Sequence, residues 1–169
     1  MKAYDRHPMN YEERLGKLFE EDKTLEKPFH SVFPAATYNL GPQTICVPHL
    51  DFANLPFGYC AITAIGNYNH KTGGHLVLWE CKLIIEFPPG STILIPSAIV
   101  THFNMPVGEN KTRFSFTQYA TGGLFGWVDN KFMTVARCKE TLTEQEWKAR
   151  VAADANRWSF RLGLLPTLA

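Results

Sequence analysis

The chain has 169 residues, 45% of them hydrophobic, with 17 Lys and Arg against 16 Asp and Glu and a net charge of +1. That length and apolar content supply one well-buried core. The near balance of charge excludes the strongly basic field of a high-affinity nucleic-acid binder, so a polyanionic partner would have to be held by a local patch.

No run approaches the ~18 apolar residues of a membrane span, which predicts no membrane association. Cys46, Cys60, Cys81 and Cys138 lack CxxC spacing, and the N-terminal MKAYDRHPMNYEERL lacks the apolar stretch of a signal peptide. Both features predict a reduced, intracellular protein.

The first element is YEERLGKLFEED, where Leu15, Leu18 and Phe19 at helical spacing among charges predict a short amphipathic helix. Over residues 32–119 the pattern changes to short runs rich in β-branched and aromatic residues: VFPAATYNL, TICVPHL, YCAITAIGNY, HLVLWE, CKLIIEF, STILIP, IVTHFN and RFSFTQY. Turn signals such as NHKTGG, PPGS and VGENK separate them. About eight strands in so short a stretch predict a closed antiparallel jelly roll or barrel.

GGLFGWVDNKF then suggests a helix, and TLTEQEWKARVAADANRWSFRLGLL predicts a longer one. Thr143 and Glu146 offer a capping box there, Trp147, Val151, Ala155 and Trp158 an apolar stripe covering one face of the sandwich, and Lys148, Arg150, Arg157 and Arg161 a solvated face. The expected organisation is a single domain over residues 1–169. It comprises an N-terminal helical extension (1–31), a β-core (32–128) and a C-terminal helical cap (129–169).

Within the apolar run VPHLDFANLPFG, His49 and Asp51 are two residues apart. Residues i and i+2 of a strand point to one side, so a strand there aims an imidazole and a carboxylate at one point. His102, in IVTHFN, is a third ligand that intervening strands can bring near. Two histidines and a carboxylate form the facial triad of non-haem Fe(II) oxygenases, which leaves positions open for a co-substrate and O2. Arg113, with Ser115 two residues on, offers a bidentate clamp and a hydroxyl for the distal carboxylate of 2-oxoglutarate. His7 and His30 lie outside the strand core, and His70 and His75 flank a turn where surface histidines are ordinary.

At these residues the sequence resembles the Fe(II)/2-oxoglutarate dioxygenases of the double-stranded β-helix fold. Within them it is similar to the TET/JBP branch, which oxidises the methyl group of 5-methylcytosine or thymine in DNA, and especially to its compact fungal members. The likeness spans residues 38–128. It includes HxDxxN followed by Gly, here His49, Asp51, Asn54 and Gly58, and Arg-x-Ser followed by Tyr, here Arg113, Ser115 and Tyr119; Gly73, Gly74 and the PPGS turn also look like that group.

The resemblance implies a mainly β fold, a double-stranded β-helix with flanking N- and C-terminal helices. It makes His49, Asp51 and His102 the Fe(II) ligands, Arg113 with Ser115 the 2-oxoglutarate clamp, and O2 the oxidant. Asn54 would hydrogen-bond the target base and Tyr119 stack on it, as an enzyme working on a flipped base requires. Residues 55–58, Gly58 included, would shape the pocket, with Asn67 and Asn104 at its rim. The implied partner is modified DNA or another nucleobase substrate, and the implied compartment the nucleus if that substrate is DNA.

Two departures bear on the substrate. Thr121 stands where well-known animal members have a base-contacting histidine, and these residues include no cysteine-rich extension or separate DNA-binding domain. A hydroxylase of a small molecule or a protein side chain therefore stays open, as does a non-catalytic jelly-roll binding module. The sequence leaves the oligomeric state open.

Overall fold

The computed structural model describes residues 6–25 and 30–162, the side chains of 6–12, 14, 153–154 and 156–162 excepted. Its elements are α1 (Arg6–Glu21), β1 (Ala35–Asn39), β2 (Cys60–Asn67), β3 (Leu76–Leu78), β4 (Leu83–Ile85), β5 (Thr92–Ile95), β6 (His102–Asn104), β7 (Thr112–Tyr119), α2 (Gly122–Asp129), α3 (Val135–Thr141) and α4 (Glu144–Leu162). By contacts the chain divides into a β-unit, 33–121, and a unit made of the residues on either side of it.

The β-unit holds two antiparallel sheets, ordered β1-β7-β2-β5 and β4-β3-β6. This is the jelly-roll arrangement that the eight apolar runs predict, with seven of them forming strands. The sheets face one another across a core of Cys60, Ile62 and Ala64 from β2, Leu76 and Leu78 from β3, Ile95 from β5, and Phe87.

Alternation in β7 divides its side chains. Arg113 and Ser115 are buried on one face, while Phe116 on the other stacks against Tyr38 of β1 at 4.8 Å between ring centroids. The register sets Asn39 opposite Ser115, Thr37 opposite Thr117, and Gly66 opposite Arg113. Gly66 has φ +133°, and a Cβ on it would lie 2.2 Å from the Thr112 carbonyl oxygen, so only glycine lets β2 and β7 approach where Arg113 enters the core.

TICVPHL, the eighth run, is not a regular strand. Pro48 has no N–H to give a ladder, and the neighbouring backbone groups bond to scattered partners. Thr44 N–H donates to Arg113 O at 3.0 Å, Cys46 N–H to the Asn104 side chain at 2.9 Å, His49 N–H to His102 O at 3.2 Å, Asp51 N–H to Ser97 O at 2.9 Å, and Leu55 N–H to Ala120 O at 3.0 Å. The segment laces across the end of the sandwich and touches a different element every few residues.

In the helical unit, Leu15 and Leu18 are buried as the spacing of α1 predicts, and α1 packs on α2. The capping box of α4 forms: Glu146 N–H donates to Thr143 Oγ1 at 3.3 Å and Thr143 N–H to Glu146 Oε2 at 2.8 Å. The expected stripe on α4 is only partly buried, because Val151 is 47% exposed and Ala155 is exposed as well. Trp158, Arg157 and Arg161 fall outside the described side chains. Lys148 is exposed and pairs with Glu144, but Arg150 is not a solvated residue: it bonds Asn130 Oδ1 and covers the Trp147 ring at 5.4 Å. Helix α3, capped by Thr134, was not among the expected elements. Among the described residues no helix is long and apolar enough to cross a membrane.

Candidate metal centre and its cavity

His49 and Asp51 leave the laced segment toward β6, where His102 meets them. A two-way backbone bridge fixes the histidines side by side, with His102 N–H donating to His49 O at 3.0 Å and the reverse bond at 3.2 Å, and their ring centroids 4.3 Å apart. The sequence-expected i, i+2 convergence is therefore kept without a continuous strand. His49 Nε2 lies 3.7 Å from Asp51 Oδ1 and His102 Nε2 3.8 Å from Asp51 Oδ2. One atom from each of the three side chains lies within 4.8 Å of the others.

Both imidazoles are held in the tautomer that a metal requires. His49 Nδ1 is 2.7 Å from Val47 O and His102 Nδ1 3.0 Å from Val100 O. A carbonyl accepts only, so each Nδ1 carries the proton and each Nε2 keeps its lone pair. Burial pulls the His102 pKa down, which favours the neutral ligand form. The chemistry of this donor set, two nitrogens and one carboxylate, with no fourth His, Cys, Asp or Glu joining it among the described residues, fits a non-haem Fe(II) ion.

The same cavity, about 420 Å³, is lined by residues from β1, β2, β3, β6, β7 and the laced segment. Arg113 reaches it from β7. Arg113 is 2% exposed, its Nε has no partner, and Nη1 donates to Thr44 O at 3.3 Å. Among the described residues no carboxylate pairs with it. Burial lowers its pKa, and the nearby Tyr68 hydroxyl offsets part of that. Ser115 sits beside it, accepting from Asn39 Nδ2 at 2.9 Å. A buried cation without a counter-ion facing a cavity fits a carboxylate ligand such as 2-oxoglutarate.

The remaining expected residues divide. Tyr119 lines the cavity, its hydroxyl 3.3 Å from Thr37 Oγ1. Asn54 lines it too, but its Nδ2 donates to Asp51 Oδ2 at 3.3 Å and to Ser97 Oγ at 3.2 Å. Asn104 lines it with its amide committed to the chain, accepting from Cys46 N–H and donating to Thr44 O at 3.1 Å. It braces the laced segment rather than offering a rim contact.

Gly58 and Leu55 do not line the cavity. Gly58 N–H closes a turn onto Leu55 O at 2.9 Å, so this pair shapes the loop from behind. Asn67 is exposed at the end of β2 and lies off the site. Thr121 pairs by backbone with Asn54 without lining the cavity.

His70 pairs with Glu86 at 3.1 Å, as a surface histidine does, whereas His75 has a buried Nδ1 with no partner, which nothing in the structure explains. Two residues that the sequence did not single out are Ser97 and Thr37. Ser97 is 2% exposed, and its only signal is a serine after Pro96 in an otherwise apolar run. With Asn130 apart, the buried polar residues among those described, Ser97, His102, Asn104, Arg113 and Ser115, all gather at this site. Burying polar groups is costly, so their concentration marks function rather than packing.

No family model matches the chain, and no curated protein matches it. Among solved structures it is similar to NgTET1 in complex with 5mC DNA, at 16% identity and a TM-score of 0.50 over 69% of this chain and 49% of that one. The chain thus spans about half the length of that protein. It also matches viral collagen prolyl hydroxylase vCPH from Paramecium Bursaria Chlorella virus-1, in its 2OG complex, at 12% identity and a TM-score of 0.37 over 65% of this chain and 70% of that one. The likeness to NgTET1 and the two facing antiparallel sheets make the β-unit a double-stranded β-helix, with the His49, Asp51 and His102 cluster between its sheets.

Proposed function

We propose that the chain is an Fe(II)- and 2-oxoglutarate-dependent dioxygenase that hydroxylates a methyl group on a nucleobase of the 5-methylcytosine or thymine kind. One observation carries the reading: a single cavity holds both a three-ligand cluster with free lone pairs and a buried arginine without a carboxylate partner. When bound, Fe(II) with 2-oxoglutarate and O2 supplies oxidative decarboxylation to succinate and CO2, coupled to hydroxylation of a substrate C–H bond.

The chain's own residues supply placement. His49, Asp51 and His102 hold the metal, with Val47 and Val100 carbonyls fixing the ring tautomers. Arg113 and Ser115 hold the far carboxylate of the co-substrate deep in the sandwich. Tyr119 gives an aromatic wall and Asn54 a carbonyl oxygen toward the substrate. The nucleobase part draws on the two extended motifs and on the fold shared with NgTET1, whose structure is a complex with 5mC DNA.

A second reading, a small neutral substrate, is favoured by the cavity mouth. Residues 28–70 contain no Lys or Arg, and Asp51 is their one acidic residue. Of the side chains that line the cavity, Phe52 is 87% exposed and Leu50 39%. That stretch offers no cationic side chain with which to grip a phosphate backbone.

The test is anaerobic titration with Fe(II) and 2-oxoglutarate, followed by the metal-to-ligand charge-transfer absorbance, and then addition of methylated oligonucleotides or the matching free nucleosides. A band that either substrate perturbs, with succinate released on admitting air, supports the reading. Absence of the band in the wild-type chain overturns it, and a band perturbed only by nucleosides selects the neutral substrate.

A further inference from the structure

The carboxylate of Asp51 is held by more than its own backbone. Ser97, buried just beyond β5, grips the stretch around it twice: its carbonyl accepts Asp51 N–H at 2.9 Å, and its Oγ accepts Asn54 Nδ2 at 3.2 Å. The other hydrogen of the same Nδ2 goes to Asp51 Oδ2 at 3.3 Å. Asn54 N–H donates to Asp51 O at 2.8 Å, closing a tight turn that keeps the amide over the carboxylate.

An amide nitrogen has two hydrogens, and here both are committed. We propose that Asn54, itself held by Ser97, is a positioning residue for the metal ligand Asp51. It donates to Oδ2 and so fixes the carboxylate plane, with Oδ1 3.7 Å from His49 Nε2 and Oδ2 3.8 Å from His102 Nε2, the orientation in which Asp51 would hold a metal.

Carboxylate ligands that rotate freely bind metal poorly, and partners that fix them are worth about 10- to 100-fold in metal affinity. Ser97 then acts through Asn54. Its burial is explained by the need for an acceptor that keeps the amide from turning its nitrogen into the cavity. What Asn54 leaves for a substrate is Oδ1, an acceptor only, so any group that it recognises must donate. This inference rests on the reading of His49, Asp51 and His102 as a metal site.

The experiment measures Co(II) and Fe(II) affinity of the full chain by anaerobic competition with a chelator, with no co-substrate or substrate present. It compares wild type, Asn54→Ala, Ser97→Ala and the double variant, with circular dichroism confirming the fold. Asn54→Ala is expected to weaken metal binding about 10- to 100-fold. The double variant should be no weaker than Asn54→Ala alone, because one residue acts through the other. That non-additivity is a readout that general loosening of the loop would not produce.

Unchanged metal affinity in Asn54→Ala, with loss confined to substrate turnover, overturns the proposal and makes Asn54 a substrate contact. Losses that simply add overturn the role of Ser97. If Ser97→Ala fails to fold, Asn54→Ala, on a half-exposed loop, still decides the first point. A wild-type chain that binds neither metal overturns the metal reading itself, an outcome distinct from all the others.

Discussion

Replacing Arg113 with Met should move stability and co-substrate affinity in opposite directions. Arg113 is 2% exposed, keeps a 3.3 Å bond to Thr44 O, and leaves Nε unpaired. Exchanging even a buried ion pair for well-packed apolar side chains is neutral or stabilising by about 1–4 kcal/mol, and a buried cation without a carboxylate partner has less attraction to lose. The Thr44 carbonyl loses one of its two donors in the exchange and keeps Asn104 Nδ2, so the lower half of that range, roughly 1–2 kcal/mol, is the better expectation. At about 2–4 °C per kcal/mol for a chain of this size, the ligand-free variant should melt roughly 2–8 °C higher.

Affinity should fall. Two charge-assisted hydrogen bonds at about 1.5–3 kcal/mol each make the clamp worth roughly 3–6 kcal/mol, which is about a hundred- to ten-thousand-fold in Kd. The assay is thermal unfolding with Mn(II), with and without 2-oxoglutarate. Ligand at ~100 times Kd stabilises wild type by about 2.7 kcal/mol, whereas the same concentration should leave the variant unmoved. A Met variant that melts lower than wild type and still responds to 2-oxoglutarate would refute the reasoning, because the cation would then be structural and the anion site elsewhere.

Gly66→Ala forces a Cβ to 2.2 Å from the Thr112 carbonyl at φ +133°, so the urea midpoint should drop by the equivalent of about 3 kcal/mol. The 2-oxoglutarate response should weaken with it, since Gly66 pairs with Arg113; a stable variant with full response would show that the strands separate freely there. Phe52→Ser, at a side chain 87% exposed, should leave stability within about 0.5 kcal/mol and the metal titration intact, while lowering substrate-stimulated succinate release. Equal turnover would remove Phe52 from the substrate path. Among the thiols, burial pushes Cys60 up to about 12 and raises Cys46, while Cys81 is exposed. Peptide mapping after brief alkylation should find Cys81 labelled first and Cys60 and Cys138 only on unfolding; rapid labelling of Cys60 would mean that β2 opens in the native state.

Where a strand pairs along its length, its apolar run announces it, which is why β2, β5 and β7 were legible. TICVPHL reads the same way but folds otherwise, because Pro48 and the Asn104 amide, 58 residues from Cys46, decide where its backbone bonds go. The convergence of His49 and Asp51 was legible all the same, since the bridge to His102 and the bond to Ser97 hold the two residues as a strand would. The bonds that hold Asn54 were not legible: the partner that fixes its amide lies 43 residues away, and no local pattern encodes that contact. The constraint on Gly66 is hidden for the same reason, because the atom that it avoids belongs to a strand 46 positions later by number. Helix α3 carries a local signal, Thr134 capping Arg137 N–H at 3.2 Å, but at seven residues it is too short for apolar periodicity to show.

The charge placement sharpens the substrate question into a measurable slope. Within the β-unit the basic residues are Lys71, Lys82, Lys111 and Arg113. Arg113 is buried in the cavity, so three exposed lysines remain to meet phosphates. Each neutralised phosphate contributes about 0.9 to the magnitude of the log–log salt slope for duplex DNA, so binding through this unit alone gives a slope no steeper than roughly −2.7. All other Lys and Arg belong to the helical unit. Anisotropy of a labelled methylated duplex across a KCl series measures the slope. A shallow value, together with turnover of neutral nucleosides, follows if the apolar mouth around Phe52 takes the base without its backbone. A slope well beyond −2.7 would place phosphate contacts on the helical unit, and Lys148→Ala and Arg137→Ala would then flatten it by about one unit each, while the same changes would leave nucleoside turnover untouched.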